Sequence, residues 1–105
     1  MGKGKRQRPK LLGKKLRAIR EKLDLSQNGM LRHLGLDDEF TQAELSAYER
    51  GVREPPLHVI LRYSQAAHIW VNALIDDTVE IPKEFPMKEM QEGIQRYRAK
   101  KAERK

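Results

Sequence analysis

The sequence predicts a small all-α fold of five helices. Apolar residues recur at helical spacing along residues 11–76, and no stretch alternates apolar and polar residues as a half-buried strand would. Ser26 and Thr41 stand where helices would begin, and Gly35 and Gly51 stand where they would end. With 105 residues, the chain has room for one domain with a modest core.

The first two helices are predicted from their apolar stripes. Helix 1 covers about residues 11–23, and its stripe follows i, i+4, i+7, i+11 spacing: Leu12, Leu16, Ile19 and Leu23. Helix 2 begins after the capping residue Ser26 and ends at Gly35. Its inward side would consist of Met30, Leu31 and Leu34.

The helix predicted over residues 41–50 carries its own start signal and a polar outer face. Thr41 and Glu44 have capping-box spacing, in which each side chain satisfies an unpaired amide of the first turn. Leu45 and Tyr48 would face the core. The outward side would then be small and polar: Gln42, Ala43, Ser46, Ala47 and Arg50. A short helix with such a face, preceded by another short helix, suits the major groove of DNA.

Two further helices complete the predicted domain. Helix 4 starts near Pro56, and we expect one apolar side made of Leu57, Ile60, Leu61, Ser64 and Ala67. Helix 5, near residues 70–76, carries Val71, Leu74 and Ile75, and Trp70 at its start is expected to pack in the core.

Beyond the domain, Pro82 and Pro86 indicate a linker. A sixth helix beginning at Met87 would carry the stripe Met87, Met90, Ile94 and Tyr97. The chain therefore divides into a basic arm over 1–10, a helix-turn-helix domain over 11–77, and a linker with a basic C-terminal helix or tail over 78–105.

Charge is distributed unevenly along the chain. Residues 1–20 carry nine basic side chains and no acid, residues 96–105 carry six basic side chains and one acid, and the stretch between them is net negative although the whole chain is +7. A basic arm is typical of phosphate contact with counterion release. A solubilising tail would look the same, so the termini alone leave both interpretations open.

Other function classes find little support in the sequence. There is no cysteine, so disulfides and thiolate metal sites are excluded. There is no glycine-rich phosphate loop and no nucleophile elbow, so we expect neither an enzyme nor a cofactor. The three histidines lack the spacing of metal ligands. The first ten residues contain no apolar run and no stretch is long enough to span a membrane, so we expect no signal peptide, no membrane association and a cytoplasmic location.

Residues 11–76 resemble the λ-repressor/Cro-type helix-turn-helix domain, also called the XRE family. The matching motifs in chain order are Leu16-Arg17-x-x-Arg20, Leu25-Ser26-Gln27, Leu34-Gly35-Leu36, Glu49-Arg50-Gly51 with Pro55, and Ala66-Ala67 to Val71-x-x-Leu74-Ile75. The resemblance implies a five-helix fold and sequence-specific binding of double-stranded DNA. It also implies a transcriptional regulator, most often a repressor that binds a palindromic operator as a homodimer.

Three features depart from the family pattern. Four residues, Asp37-Asp38-Glu39-Phe40, are inserted before the recognition helix. Leu31 replaces the usual alanine at the closest approach of helices 2 and 3, and Phe40 would fill the space that a bulkier side chain opens. Asp24 stands at the usual glycine position after helix 1. These departures affect the angle of the recognition helix.

The resemblance also implies roles for individual residues. Gln27 would contact phosphate and brace the recognition helix, and Gln42 would read a base, with adenine as its natural partner. Arg20 and Glu49 would form a structural salt bridge. The predicted DNA-contacting set is Gln27, Thr41, Gln42, Ala43, Ser46, Ala47, Arg50 and Arg53, with Lys5, Arg6 and Arg8 from the arm.

Two function classes fit these observations. One is a dimeric DNA-binding regulator, and the other is an antitoxin-like interaction module that binds a partner protein through residues 82–105. The dimer would form through helix 5 with Trp70 and Leu74, or alternatively through the stripe that begins at Met87. Fold alone does not separate the two classes, because function depends on the site.

Overall fold

The computed structural model describes residues 8–82, and this range contains five α-helices and no strand. The all-α prediction is therefore confirmed for the described part of the chain. Lys5, Arg6 and the predicted sixth helix lie outside the described residues. The helices in chain order are α1 Leu12–Lys22, α2 Gln27–Leu34, α3 Gln42–Glu49, α4 Leu57–Ala67 and α5 Val71–Ile75.

Local signals place the helix ends close to where the sequence predicts them. The Ser26 hydroxyl accepts a hydrogen bond from the Gly29 amide at 3.0 Å and caps α2. Gly35 ends α2 with φ +71°, in the left-handed region that favours glycine. Asp24, in the turn after α1, also adopts a positive φ, of 58°. Aspartate tolerates that conformation better than most residues, because its short side chain can bond locally.

The core is formed by the inward sides of all five helices. The largest side chains with almost no exposed surface are Tyr63, Leu16, Ile19, Met30, Leu36, Leu45, Leu74 and Val59. The stripe predicted for helix 1 faces this core, with Leu12, Leu16 and Ile19 buried and Leu23 partly buried. The inward residues predicted for helix 2 are buried as well.

The predicted inner face of helix 4 is wrong at two positions. Leu57 is 83% exposed and Leu61 is 46% exposed, whereas Val59 and Tyr63 are buried. The helix contacts α1, α2 and α5 through the side that carries Tyr63, so the i, i+4 pair of leucines is left on the opposite side. Spacing identified residues that share a face, but it did not determine which face the neighbours cover.

The expectations for α5 also need correction. Trp70 does not pack in the core: it is the N-cap residue of α5, with extended backbone, and it is 83% exposed. Leu74 shows no exposed surface, so its side chain is not available for a dimer contact. Ile75, at the end of the helix, is 43% exposed.

A group of long-range hydrogen bonds joins the two ends of the described chain. The Lys15 ammonium, on a residue only 7% exposed, donates to the carbonyls of Ala73, Asp76 and Val79 at 2.7, 2.8 and 2.7 Å. In the opposite direction, the Asp77 carboxylate accepts from the amides of Lys10 and Leu11 at 2.9 and 3.0 Å. We call these five bonds the terminal clasp.

The terminal clasp has two consequences. The hydrogen bond from the Lys10 amide, followed in size of effect by the one from the Leu11 amide, holds the pKa of the Asp77 carboxyl below its usual range. Packing also continues past residue 77, because Val79 is bonded to Lys15 and Ile81 lies partly buried against the core.

Candidate nucleic-acid interface

The first turn of α3 is fixed by the predicted capping box. The Thr41 hydroxyl accepts from the Glu44 amide at 3.2 Å, and the Glu44 carboxylate accepts from the Thr41 amide at 2.9 Å. Both bonds satisfy donors that a helix start leaves unpaired. The backbone of Gln42 and Ala43, at the exposed start of the helix, therefore has a defined position.

The outward side of α3 is smaller than predicted. Thr41, Gln42, Ala43 and Arg50 are exposed and Ser46 is half-buried; we call these five residues the α3 outer face. The Arg50 guanidinium lies along this surface, where its Nε donates to the Ser46 hydroxyl at 3.2 Å.

Ala47 does not belong to the α3 outer face, because it is only 7% exposed. The chain after α3 turns back toward it, and the amides of Val52 and Arg53 donate to its carbonyl at 3.0 and 3.3 Å. Its predicted outward position is therefore wrong. Arg53, in the same turn, is exposed as predicted.

Side-chain amides connect the start of α2 to the start of α3. Gln42 donates through Nε2 to Gln27 Oε1 at 3.2 Å, and Asn28 donates through Nδ2 to Gln42 Oε1 at 3.4 Å. Gln42 is thus exposed but oriented. The bracing contact predicted for Gln27 is present. Asn28 was missed from the sequence, although its position beside Gln27 in the first turn of α2 could have indicated it.

The predicted salt bridge between Arg20 and Glu49 is confirmed. Arg20 Nε donates to Glu49 Oε2 at 2.7 Å and Nη2 donates to Oε1 at 3.1 Å, while Nη1 donates to the Leu25 carbonyl at 2.9 Å. The side chains are 15% and 4% exposed. The hydrogen bond to Glu49 is the main cause that raises the pKa of Arg20 above its ordinary value.

Glu49 also links the salt bridge to the exposed amides. Its Oε1 accepts a bond from Gln27 Nε2 at 3.1 Å. A continuous chain of hydrogen bonds therefore runs from Arg20 in α1 through Glu49 and Gln27 to Gln42 on the α3 outer face. The buried charge at one end of α3 positions the exposed amide at the other end.

Gly13 allows α1 to lie against the end of α3. A Cβ atom at this position would lie 2.6 Å from the Glu49 carbonyl oxygen and 2.7 Å from that of Tyr48, closer than any real contact. Both neighbours are backbone atoms and cannot rotate away. Sequence reasoning missed this role, because an isolated glycine in a helical stretch does not reveal what crosses it.

A groove of about 750 Å³ lies between the start of α1 and the end of α3. Six exposed basic side chains line it: Arg8, Lys10, Lys14, Arg17, Arg50 and Arg53. Two acids also line it, and one of these, Glu49, is paired with Arg20. We call this feature the basic groove. It brings Arg8 of the predicted arm to the same place as Arg50 and Arg53.

Not every cation of the N-terminal stretch is available to a ligand. The Lys15 ammonium is committed to three carbonyls of the terminal clasp, and the Arg20 guanidinium is committed to Glu49 and Leu25. Within the basic groove, Arg17 Nε also donates to the Glu21 carboxylate at 3.1 Å. The positive charge offered near α3 is therefore mainly that of Arg8, Lys10, Lys14, Arg50 and Arg53, and not that of the whole basic stretch.

The turn between α2 and α3 that contains residues 37–40 is anchored to α4. Glu39 Oε2 lies 2.6 Å from His58 Nε2, and the Phe40 ring packs edge-on against Tyr48 with a centroid distance of 6.1 Å. The Phe40 ring also lies 5.6 Å from the His58 ring. Leu31 is buried. The turn therefore has a fixed position beside the start of α4 instead of extending freely from the α2–α3 corner.

Residues 8–82 hold no group of three or more His, Asp or Glu side chains that could bind a metal ion. No helix in this part of the chain is long and apolar enough to cross a membrane. No family model, no curated protein and no solved structure matches the chain.

Proposed function

We propose that the chain is a sequence-specific DNA-binding transcriptional regulator that places α3 in the major groove. The observation that supports this most is Gln42, an exposed amide that Gln27 and Asn28 hold in place. A side chain that is already oriented loses less rotamer freedom on binding. A glutamine amide can form two hydrogen bonds with adenine in the major groove. Ala43 and Ser46 leave room for base edges beside it.

Groups suited to phosphate flank the α3 outer face at both ends. Gln27 and Asn28 stand in the first turn of α2, where free amides and the helix dipole favour an anion. Arg50, Arg53 and Arg8 lie at the other end, in the basic groove. Phosphate contacts orient a protein on the duplex, and base contacts then provide the sequence preference.

In this proposal the protein acts as a repressor on a palindromic operator. One eight-residue recognition helix reads only a few base pairs, and two copies on half-sites one turn apart, about 34–36 Å, would read enough for useful discrimination. The half-site spacing on DNA sets the arrangement of the two copies. Sedimentation of the DNA complex would give the number of copies bound, and a one-to-one complex on an asymmetric site would contradict this arrangement.

The decisive experiment is selection of bound duplexes from a random pool, with wild type and Gln42→Ala compared. Gln42→Ala should cost about 1–3 kcal/mol of binding free energy and relax the preference at one base position per half-site. Asn72→Ala is a suitable control, because it removes an exposed amide from α5. If Gln42→Ala weakens binding to all sequences equally, Gln42 contacts the backbone and the proposed readout is wrong.

The arm is tested separately by deleting residues 1–9, which removes Lys3, Lys5, Arg6 and Arg8. Binding should weaken on every sequence, and the slope of log affinity against log salt should become shallower by about 0.9 for each phosphate that the arm neutralises in the wild type. The selected motif should stay the same. An unchanged salt slope would show that the arm does not contact DNA.

A further inference from the structure

The basic groove has the size and the lining of a site for a small ligand. Its volume of about 750 Å³ lies within the range of roughly 300–1,000 Å³ that is typical of small-molecule pockets. Apart from Glu49, the buried residues that line it are Leu12, Gly13, Tyr48 and Pro55, so its base presents mainly carbon atoms. The exposed lining residues are mostly cations, which therefore stand around the rim. An apolar base with a charged rim suits a ligand that has both an apolar body and anionic groups.

The acids that line the groove do not balance its cations. Glu49 is committed to Arg20, and Arg17 is committed to Glu21. The cations that remain face a single further acid of the lining, Glu54, and no ion pair within residues 8–82 occupies them: Arg8, Lys10, Lys14, Arg50 and Arg53. Several cations around one cavity call for a ligand with more than one negative charge.

The types of these cations favour phosphoryl groups. Three of them are arginines, and a guanidinium presents a fork of N–H donors that matches two oxygens of one phosphate. Within the described structure Arg50 uses only its Nε, on the Ser46 hydroxyl, so both of its terminal nitrogens stay available for a ligand. Two or more adjacent phosphoryl groups would supply the several negative charges that the rim can accept.

Both walls of the groove are held by hydrogen bonds of the protein itself. Before α1, the Asp77 carboxylate of the terminal clasp accepts from the amides of Lys10 and Leu11. After α3, the Arg53 amide donates to the Ala47 carbonyl at 3.3 Å. Small-ligand sites are usually formed in advance, and fixed walls reduce the entropy that is lost when a ligand binds.

We infer that the basic groove binds a small molecule with two or more adjacent phosphoryl groups on a ring-containing body, of the chemical class of a nucleoside diphosphate. Its phosphoryl groups contact the cations of the rim, and its ring lies against the apolar base. The backbone of a DNA duplex offers the same phosphate chemistry but no ring for that base. Binding of the small ligand does not depend on DNA binding. Its effect on DNA rests on the proposed function, because Arg50 and Arg53 would then serve both ligands.

Calorimetric titration of the full chain with ADP, in a buffer without divalent cations, tests the class of ligand. ADP should bind with one-to-one stoichiometry. Adenosine, which lacks the phosphoryl groups, should bind at least about tenfold more weakly, because each hydrogen bond to a charged group is worth about that factor. Pyrophosphate, which lacks the ring, should also bind more weakly than ADP. Adenosine or pyrophosphate that binds as tightly as ADP would contradict the inference.

The site is located by a pair of double variants. Lys14→Gln with Arg53→Gln removes two charges from the groove and should weaken ADP binding at least about tenfold. Lys22→Gln with Arg32→Gln is the matched control, because it removes the same charges from exposed residues outside the groove, and it should change the affinity by less than about twofold. All four side chains are exposed, so both double variants should fold. Equal losses in the two would mean that ADP is held by diffuse attraction, which would overturn the inference.

Competition with DNA separates this inference from the proposed function. ADP should displace a labelled duplex, taken from the selected pool, from the wild-type protein. Wild type that binds ADP but no duplex would refute the proposed function and leave the ligand site intact. If wild type binds the duplex and not ADP, and the groove double variant weakens the duplex complex, the groove serves the DNA backbone alone and the inference is wrong.

Discussion

The α3 outer face and the exposed apolar side chains of α4 and α5 differ in chemistry. On α3 the exposed groups are polar or small, and Gln42 is held by amides from α2. On α4 and at the two ends of α5, four large apolar side chains are exposed: Leu57, Leu61, Trp70 and Ile75, of which Trp70 is 83% exposed. A surface of oriented hydrogen-bonding groups suits a polar, hydrated partner, whereas a surface of aliphatic and aromatic groups suits another apolar surface. One small domain therefore exposes two sets of side chains with different chemistry.

The two surfaces also depend on different supports. The α3 outer face depends on Glu49, which pairs with Arg20 and with Gln27. The exposed apolar residues of α5 lie next to the terminal clasp, in which Lys15 holds the carbonyls of Ala73 and Asp76. Substitutions in one support should therefore disturb one surface and spare the other.

The largest effect is expected for Glu49→Ala. Breaking the pair leaves the Arg20 guanidinium, which is 15% exposed, without its carboxylate, and should lower the free energy of unfolding by about 3–5 kcal/mol. Urea denaturation would measure this loss. In the fraction that remains folded, Trp70 emission should be unchanged. A change in Trp70 emission in the folded protein would show that the two surfaces are not supported independently.

Lys15→Met should act mainly on the other surface. The carbonyls of Ala73, Asp76 and Val79 lose their donor, and the free energy of unfolding should fall by about 2–3 kcal/mol. Lys14→Met is the matched control, because Lys14 is exposed and should change stability by less than about 0.5 kcal/mol. Equal losses in the two variants would show that the clasp carries no stability.

Gly13→Ala should push α1 away from α3. The new methyl group meets two backbone carbonyls at 2.6 and 2.7 Å, and overpacking of this kind costs about 1–3 kcal/mol, more than the helix propensity that alanine gains. Thermal unfolding would detect the loss. A variant as stable as the wild type would mean that α3 can shift without cost, and its outer face would then not be rigidly positioned.

Tyr63→Phe should change the free energy of unfolding least, and it should raise it instead of lowering it. The Tyr63 hydroxyl is buried, and it has no hydrogen-bond partner among the described residues. Burial raises the pKa of this phenol well above its ordinary value, so the group stays neutral. Removing the hydroxyl should stabilise the protein by up to about 1 kcal/mol and leave both surfaces unchanged. A clear destabilisation would reveal a bond partner for this hydroxyl.

Local signals predicted most of the fold. The Ser26 cap, the Thr41–Glu44 capping box and the glycine at position 35 act within a few residues of the chain, so their effects can be inferred directly from the sequence. The salt bridge of Arg20 was also predicted, although its partner lies 29 residues away. That prediction came from the ordered motif of the resemblance and not from spacing.

The features that sequence reasoning missed depend on tertiary contacts. Lys15 looks like one more cation of a basic stretch, and only the fold brings it to carbonyls 58 to 64 residues away. Leu57 and Leu61 share a stripe with buried residues, but α4 meets its neighbours through the side that carries Tyr63. Ala47 is small enough for an outer face, yet it is only 7% exposed. A sequence pattern groups residues, but it does not show what covers them.

The terminal clasp also affects how the domain unfolds. Its bonds join residues separated by as many as 67 positions, so the first and last described helices are tied directly to each other. The five-residue α5 is too short to be stable by itself, so we expect it to unfold when these hydrogen bonds break. Partial opening from either end is therefore disfavoured, and the helices should unfold as one cooperative unit. Amide protons in α5 should then exchange with solvent nearly as slowly as those in α1, despite the small size of α5 and its place near the end of the fold.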